Sequence, residues 1–131
     1  MGAFLVEAGA KIEARFPGTQ VIGFGHLGDG NIHFNVRAPA GAAADWLESE
    51  GRAVTGYVHD LVTAAGGSIS AEHGIGQAKL GELARLGDPA RLGAMRAIKQ
   101  GLDPKNIMNP GKLVPGLPID QGKLAPEALR S

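Results

Sequence analysis

The sequence predicts an α+β fold, an antiparallel β-sheet with helices packed on one face. Three observations predict it. Apolar residues recur at helical spacing in three separate stretches, two short apolar-rich runs flank an Asp-Gly bend, and Gly and Pro punctuate the chain between these segments. From about Ala3 to Phe16, Leu5, Ala8, Ile12 and Phe16 step by three and four residues with charge between them, and Pro17-Gly18 ends that helix. Val21 to His26 and Ile32 to Val36 are separated by Gly28-Asp29-Gly30-Asn31, the signature of a β-hairpin. After a loop at Ala38-Pro39-Ala40-Gly41, one stripe of Leu47, Val54, Val58, Leu61, Val62 and Ala65 predicts a long helix over about 43 to 65, closed by Gly66-Gly67. Ser68 to Ala71 reads as a short strand entering the turn Glu72-His73-Gly74-Ile75-Gly76. A last helix is expected from about Pro89 to Gly101, with Asp88 as N-cap, Pro89 at its first position, and Leu92, Met95 and Ile98 turned inward. The domain is expected to end near residue 115, and 116–131 to form a flexible tail.

Composition narrows the chemistry. The 131 residues carry 13 basic and 13 acidic side chains, so no long-range field gathers nucleic acid or an anionic membrane. No cysteine is present, which excludes thiolate metal sites, disulfides and a cysteine nucleophile, and leaves His, Asp and Glu as ligands for any metal. No segment approaches the ~20 apolar residues of a membrane helix, and the N-terminus has no basic leader before a long apolar run. A cytoplasmic protein that acts on a small molecule or contacts another protein is the expectation.

If Asp29 and Gly30 are the two central residues of a primed turn, both adopt positive φ, and the register follows by counting outward. His26 then faces His33, Gly25 faces Phe34, and Phe24 faces Asn35. Leu27, Ile32, Phe34 and Val36 fall on one side of the ribbon, and His26, His33 and Asn35 on the other. Opposed residues have Cβ atoms roughly 4.5–5.5 Å apart, close enough for two imidazoles to converge on one cation. Two histidines can also simply decorate an exposed hairpin; their expected face-to-face pairing favours a site. A third ligand is wanted, and Glu72, in a Gly-rich turn after an apolar run, is the best candidate. An ordinary surface carboxylate accounts for Glu72 equally well on spacing alone. Successive residues of an extended segment point different ways, so His73 can stay free as a general base while Glu72 binds the ion. His59, between Val58 and Asp60 on the long helix, is read as structural or solvent-exposed.

Three segments together resemble a known family: Gly25-His26-Leu27-Gly28-Asp29-Gly30-Asn31-Ile32-His33-Phe34-Asn35, then Ser68-Ile69-Ser70-Ala71-Glu72-His73-Gly74-Ile75-Gly76, then Met95 to Gln100 through Leu102-Asp103-Pro104 to Asn109-Pro110-Gly111-Lys112. They are similar to successive motifs in the C-terminal domain of FAD-linked oxidases of the vanillyl-alcohol oxidase superfamily, which includes D-lactate dehydrogenase, D-2-hydroxyglutarate dehydrogenase and the flavin subunit of glycolate oxidase. The likeness spans about residues 20 to 115. It implies a truncated ferredoxin-like domain that oxidises a 2-hydroxy acid to a 2-oxo acid with hydride transfer to FAD. It further implies that His26, His33 and Glu72 hold a divalent cation, zinc or manganese, that Asn35 contacts the substrate, that His73 is the catalytic base, and that Asn109 approaches the flavin. A helix-exit turn explains Asn109 equally well from sequence.

The family's flavin domain has no counterpart here, so the expected partners are that missing domain and a small-molecule 2-hydroxy acid, and the isolated chain is expected to be inactive. Exposed sheet edges also predict a homo-oligomer. Two rival readings use the same residues: a His2Glu hydrolase whose metal activates water, and a non-catalytic module that has kept the fold.

Overall fold

The computed structural model describes residues 1–26 and 28–116, which form four helices and a two-stranded antiparallel sheet. The observed class is the α+β class expected. In order the elements are α1 (Gly2–Arg15), β1 (Gln20–His26), β2 (Asn31–Arg37), α2 (Glu50–Ala64), α3 (Leu80–Leu86) and α4 (Pro89–Leu102). The chain divides into two compact units, Met1–Glu72 and His73–Ser131. The tail expected over 116–131 lies, beyond Gly116, outside the described residues. Among those described, no helix is long and apolar enough to cross a membrane.

In the first unit α1 covers one side of the hairpin. Ala8 and Ile12 are buried, as their spacing predicts, and Phe4 meets Phe34 edge-on with ring centroids 6.3 Å apart. Gly23 lies under Leu5: a Cβ there would stand 2.2 Å from the leucine Cδ1. Absence of a side chain at that position lets helix and strand approach. Glu13 accepts the main-chain N–H of Val21 at 2.9 Å, tying the last turns of α1 to β1. Phe16 packs edge-on against Tyr57 of α2, and the Arg15 guanidinium lies 4.6 Å from the centroid of the tyrosine ring.

The hairpin register differs from the one expected. Phe24 pairs with His33, Gly25 with Ile32, and His26 with Asn31, so four positions of sequence separate the last paired residues. The N–H of Asp29 closes a turn onto the carbonyl of His26 at 3.2 Å, and positive φ falls on Gly30 (68°) but not on Asp29. Among the described residues of the bend only Gly30 is left-handed, a conformation that glycine accepts without strain, whereas a two-residue primed turn demands positive φ at Asp29 as well.

The helix expected over 43–65 is shorter. Residues 43–49 run as successive turns, with Ser49 Oγ donating to the carbonyls of Asp45 and Trp46, and Leu47 is exposed rather than part of the buried stripe. Val54 is buried as expected. At its other end α2 closes as predicted: Gly66 adopts φ 74°, its N–H bonds the carbonyl of Thr63, and Gly67 N–H bonds that of Val62, the paired bonds of a Schellman exit. The strand expected at Ser68–Ala71 is not formed. Ser68 Oγ instead accepts the N–H of Ser70, a local side-chain bond that competes with ladder pairing.

In the second unit Leu83, Leu92 and Val114 are buried. The sequence reading missed α3, a seven-residue helix with Leu80, Leu83 and Leu86 at three-residue steps. For α4 the expectation holds: the Asp88 carboxylate accepts the N–H of Arg91 at 2.8 Å and Pro89 occupies the first turn. Ile98, expected to face inward, is 62% exposed. Asp103 ends this helix. Its buried carboxylate takes Lys99 Nζ and the main-chain N–H groups of Ile107 (3.0 Å) and Met108 (2.9 Å).

The Lys99 hydrogen bond, with the two amides behind it, holds the Asp103 carboxyl below its ordinary value of 3.8, against the opposing effect of burial. A carboxyl depressed in the folded chain stabilises that chain above its unfolded pKa and loses the contribution as pH falls through the folded value. Asp103→Asn is therefore expected to lower the thermal midpoint at neutral pH, with the gap to the unsubstituted chain closing below about pH 3.8. A gap that stays constant into acid would show that the charge is not what the turn uses.

Candidate metal centre

The two-residue offset in register does not change sidedness. Paired residues share a side and the period is two, so His26, His33 and Asn35 project from one side of the hairpin, as the sequence predicts, and Asn31 joins them there. His26 and His33 are diagonal rather than opposed, and their rings sit 5.9 Å apart, centroid to centroid, at 74°. Direct opposition belongs to Phe24, whose ring stacks on His33 at 5.0 Å and 16°. The side expected to be a polar site thus also carries exposed Ile22 and Phe24, while α1 takes the other side.

Glu72 enters from the segment after α2. Its Oε1 lies 3.0 Å from His26 Nδ1 and its Oε2 3.6 Å from His33 Nε2, and Oε1 also accepts a hydrogen bond from Asn31 Nδ2. The three residues each offer a ligand atom, and those atoms all lie within 4.8 Å of one another. Side-chain exposures of 59%, 32% and 38% for His26, His33 and Glu72 leave the cluster open to solvent. That openness bears on why it exists. Exposed ion pairs contribute roughly 0–1 kcal/mol, too little for stability to account for two imidazoles gathered on one carboxylate.

The other residues singled out by sequence are placed as follows. Asn35 is on β2, two positions beyond His33 on the same side, and exposed. His73 directly follows Glu72, exposed, in an irregular segment, and begins the second unit. In that unit Asn109 sits in a left-handed turn (φ 48°) whose carbonyl accepts the N–H of Lys112. His59 is half-buried on α2. Asn31 was missed. A two-residue turn would have set it in the bend opposite Gly28, whereas the real register makes it the first residue of β2, facing His26.

Comparison with known proteins gives the family. A D-2-hydroxyglutarate dehydrogenase of Stutzerimonas stutzeri (strain A1501) is 40% identical over 111 residues, covering 85% of this chain and 24% of that protein. The mitochondrial D-2-hydroxyglutarate dehydrogenase of Arabidopsis thaliana is 41% identical over 95 residues, 72% of this chain and 16% of the relative. A D-lactate dehydrogenase of Archaeoglobus fulgidus is 42% identical over 97 residues, 74% and 20% respectively. The chain thus spans about a quarter or less of the length of these relatives. A family model described as FAD linked oxidases, C-terminal domain, matches residues 2–113, extending the likeness through α1 as well as the three motifs. The chain belongs to the C-terminal domain family of FAD-linked oxidases.

Proposed function

We propose that this chain is the substrate-side portion of a flavin-dependent 2-hydroxy-acid dehydrogenase, inactive without the flavin-binding domain, and that His26, His33 and Glu72 hold a divalent cation in it. The single observation that carries the reading is the convergence of those three side chains within 4.8 Å. Two imidazole nitrogens and a carboxylate oxygen suit zinc or manganese and leave coordination positions open, the pattern of a catalytic rather than a structural site. Bound there, the cation supplies positive charge that lowers the pKa of a substrate hydroxyl. The flavin supplies the acceptor for the hydride.

The chain's own residues do the rest. His73 takes the hydroxyl proton onto an imidazole nitrogen as the α-hydrogen departs with its electron pair, so the carbinol carbon becomes a carbonyl and the 2-oxo acid results. Asn35, beside His33 on the open side of the hairpin, offers a carboxamide to the substrate. Asn109 serves the flavin from the Asn-Pro-Gly-Lys segment. Dehydrogenases for D-2-hydroxyglutarate and D-lactate among the relatives support a 2-hydroxy acid as the substrate class.

The test is reconstitution. The purified chain, loaded with zinc or manganese, is combined with a flavin-binding domain taken from an FAD-linked oxidase of the same family, and dye reduction is followed with D-2-hydroxyglutarate, D-lactate and glycolate. Turnover is expected only when both polypeptides and FAD are present. Ester or amide hydrolysis by the chain alone, with metal and without FAD, would establish the hydrolase reading instead. Calorimetry that detects no divalent-ion binding would leave a non-catalytic module.

A further inference from the structure

Asn31 is the buried polar residue closest to the chemistry, at 9% exposure, and nothing in the mechanism above uses it. Its carboxamide donates to Glu72 Oε1, a residue 41 positions away in the sequence. Glu72 needs such a tie. It lies in an irregular stretch outside the strand ladder of the described residues, and holding its carboxylate in one direction costs side-chain conformational freedom. A carboxylate offers about four lone-pair positions, so one N–H can hold it without removing its capacity to bind an ion. With Oε1 tethered to Asn31 and against His26, Oε2 is the oxygen left facing His33.

We propose that Asn31 is a positioning residue of the metal centre: its Nδ2–H fixes the Glu72 carboxylate so that the third ligand is already aimed between His26 and His33 before an ion arrives. This rests on the metal reading of those three residues. It follows the general logic by which groups outside a coordination sphere orient the ligands inside it. The bond also couples the tip of the hairpin to the segment after α2, so the two pieces of chain that supply ligands are held in one arrangement.

The test uses the full chain. Asn31→Leu keeps the approximate side-chain volume and removes the donor, and Asn31→Gln keeps an amide donor. Zinc affinity is measured by competition with a chromophoric chelator, and urea unfolding of the metal-free chain is measured alongside. Asn31→Leu is expected to weaken zinc binding roughly 10–100-fold, with Asn31→Gln recovering part of the loss. A tie that merely stabilised the fold would shift the unfolding midpoint and leave the affinity of the folded chain unchanged. Zinc binding of wild-type strength in folded Asn31→Leu overturns the role of Asn31 alone, whereas no zinc binding by the unsubstituted chain overturns the metal reading and this role together. If Asn31→Leu does not fold, the side-chain amide signal of Asn31 in the metal-free wild-type chain decides: slowed exchange that disappears in Glu72→Ala supports the tether, and indifference to Glu72→Ala overturns it.

Discussion

His73→Ala in the reconstituted enzyme is expected to lower kcat by about 10²–10⁴-fold, the usual cost of removing a general base, while the zinc affinity of the chain stays at its wild-type value. The two readouts separate because the residue follows Glu72 in sequence but is not one of the three converging side chains. A ligand lost from the cluster would depress metal binding and turnover together. His73→Gln keeps a polar side chain of similar reach without a basic nitrogen, and it should be as slow as the alanine variant. If either variant retained more than about a tenth of the rate, the proton acceptor would have to be sought elsewhere.

Gly25→Val is expected to cost roughly 3 kcal/mol or more and to abolish zinc binding with it. A Cβ at Gly25 would stand 2.0 Å from the carbonyl oxygen of Asn31 and 2.9 Å from Cα of Ile32, both main-chain atoms of the partner strand. Main chain cannot swing aside as a side chain can, so β1 and β2 would have to part where His26 and Asn31 pair next to it. Gly23→Ala is the informative contrast. Its new methyl meets only the end of the Leu5 side chain, which can change rotamer, so its cost should stay within the ~1–3 kcal/mol of ordinary overpacking and the site should still form. Urea unfolding followed by circular dichroism, with zinc calorimetry on each variant, makes the comparison; equal midpoints for the two variants would contradict it.

What could be read in the sequence follows a physical division. Elements whose cause is local were legible: α1 from its apolar steps, the exit of α2 from Gly66-Gly67, and the start of α4 from the Asp88 cap and Pro89. The elements misread depend on partners elsewhere in the chain. Residues 43–49 have helical spacing, but Leu47 finds no buried surface to face, and a helix without such a face has little to hold it. Ser68–Ala71 has the look of a strand, yet a strand exists only with a ladder partner, and none pairs with it among the described residues. The signal for α3, Leu80, Leu83 and Leu86 at equal steps, was present but only two turns long. For the candidate site, the sidedness of His26 and His33 needed only the two-residue period of a strand, so it was correct even though the pairing was not. The choice of Glu72 came from its place in a Gly-rich turn and from the family likeness. Its hydrogen bond to Asn31 depends on the true register, which no count from an assumed bend could supply.

The slip between the expected pairing and the real one has a consequence for how such a hairpin can evolve. Moving one strand along the other by two residues keeps both imidazoles on the open side, whereas a shift of one would carry His33 over to the helix α1. Mutations at the tip that lengthen or shorten the bend are thus filtered by parity, and the chemistry can outlast changes in the loop provided that they come in even steps.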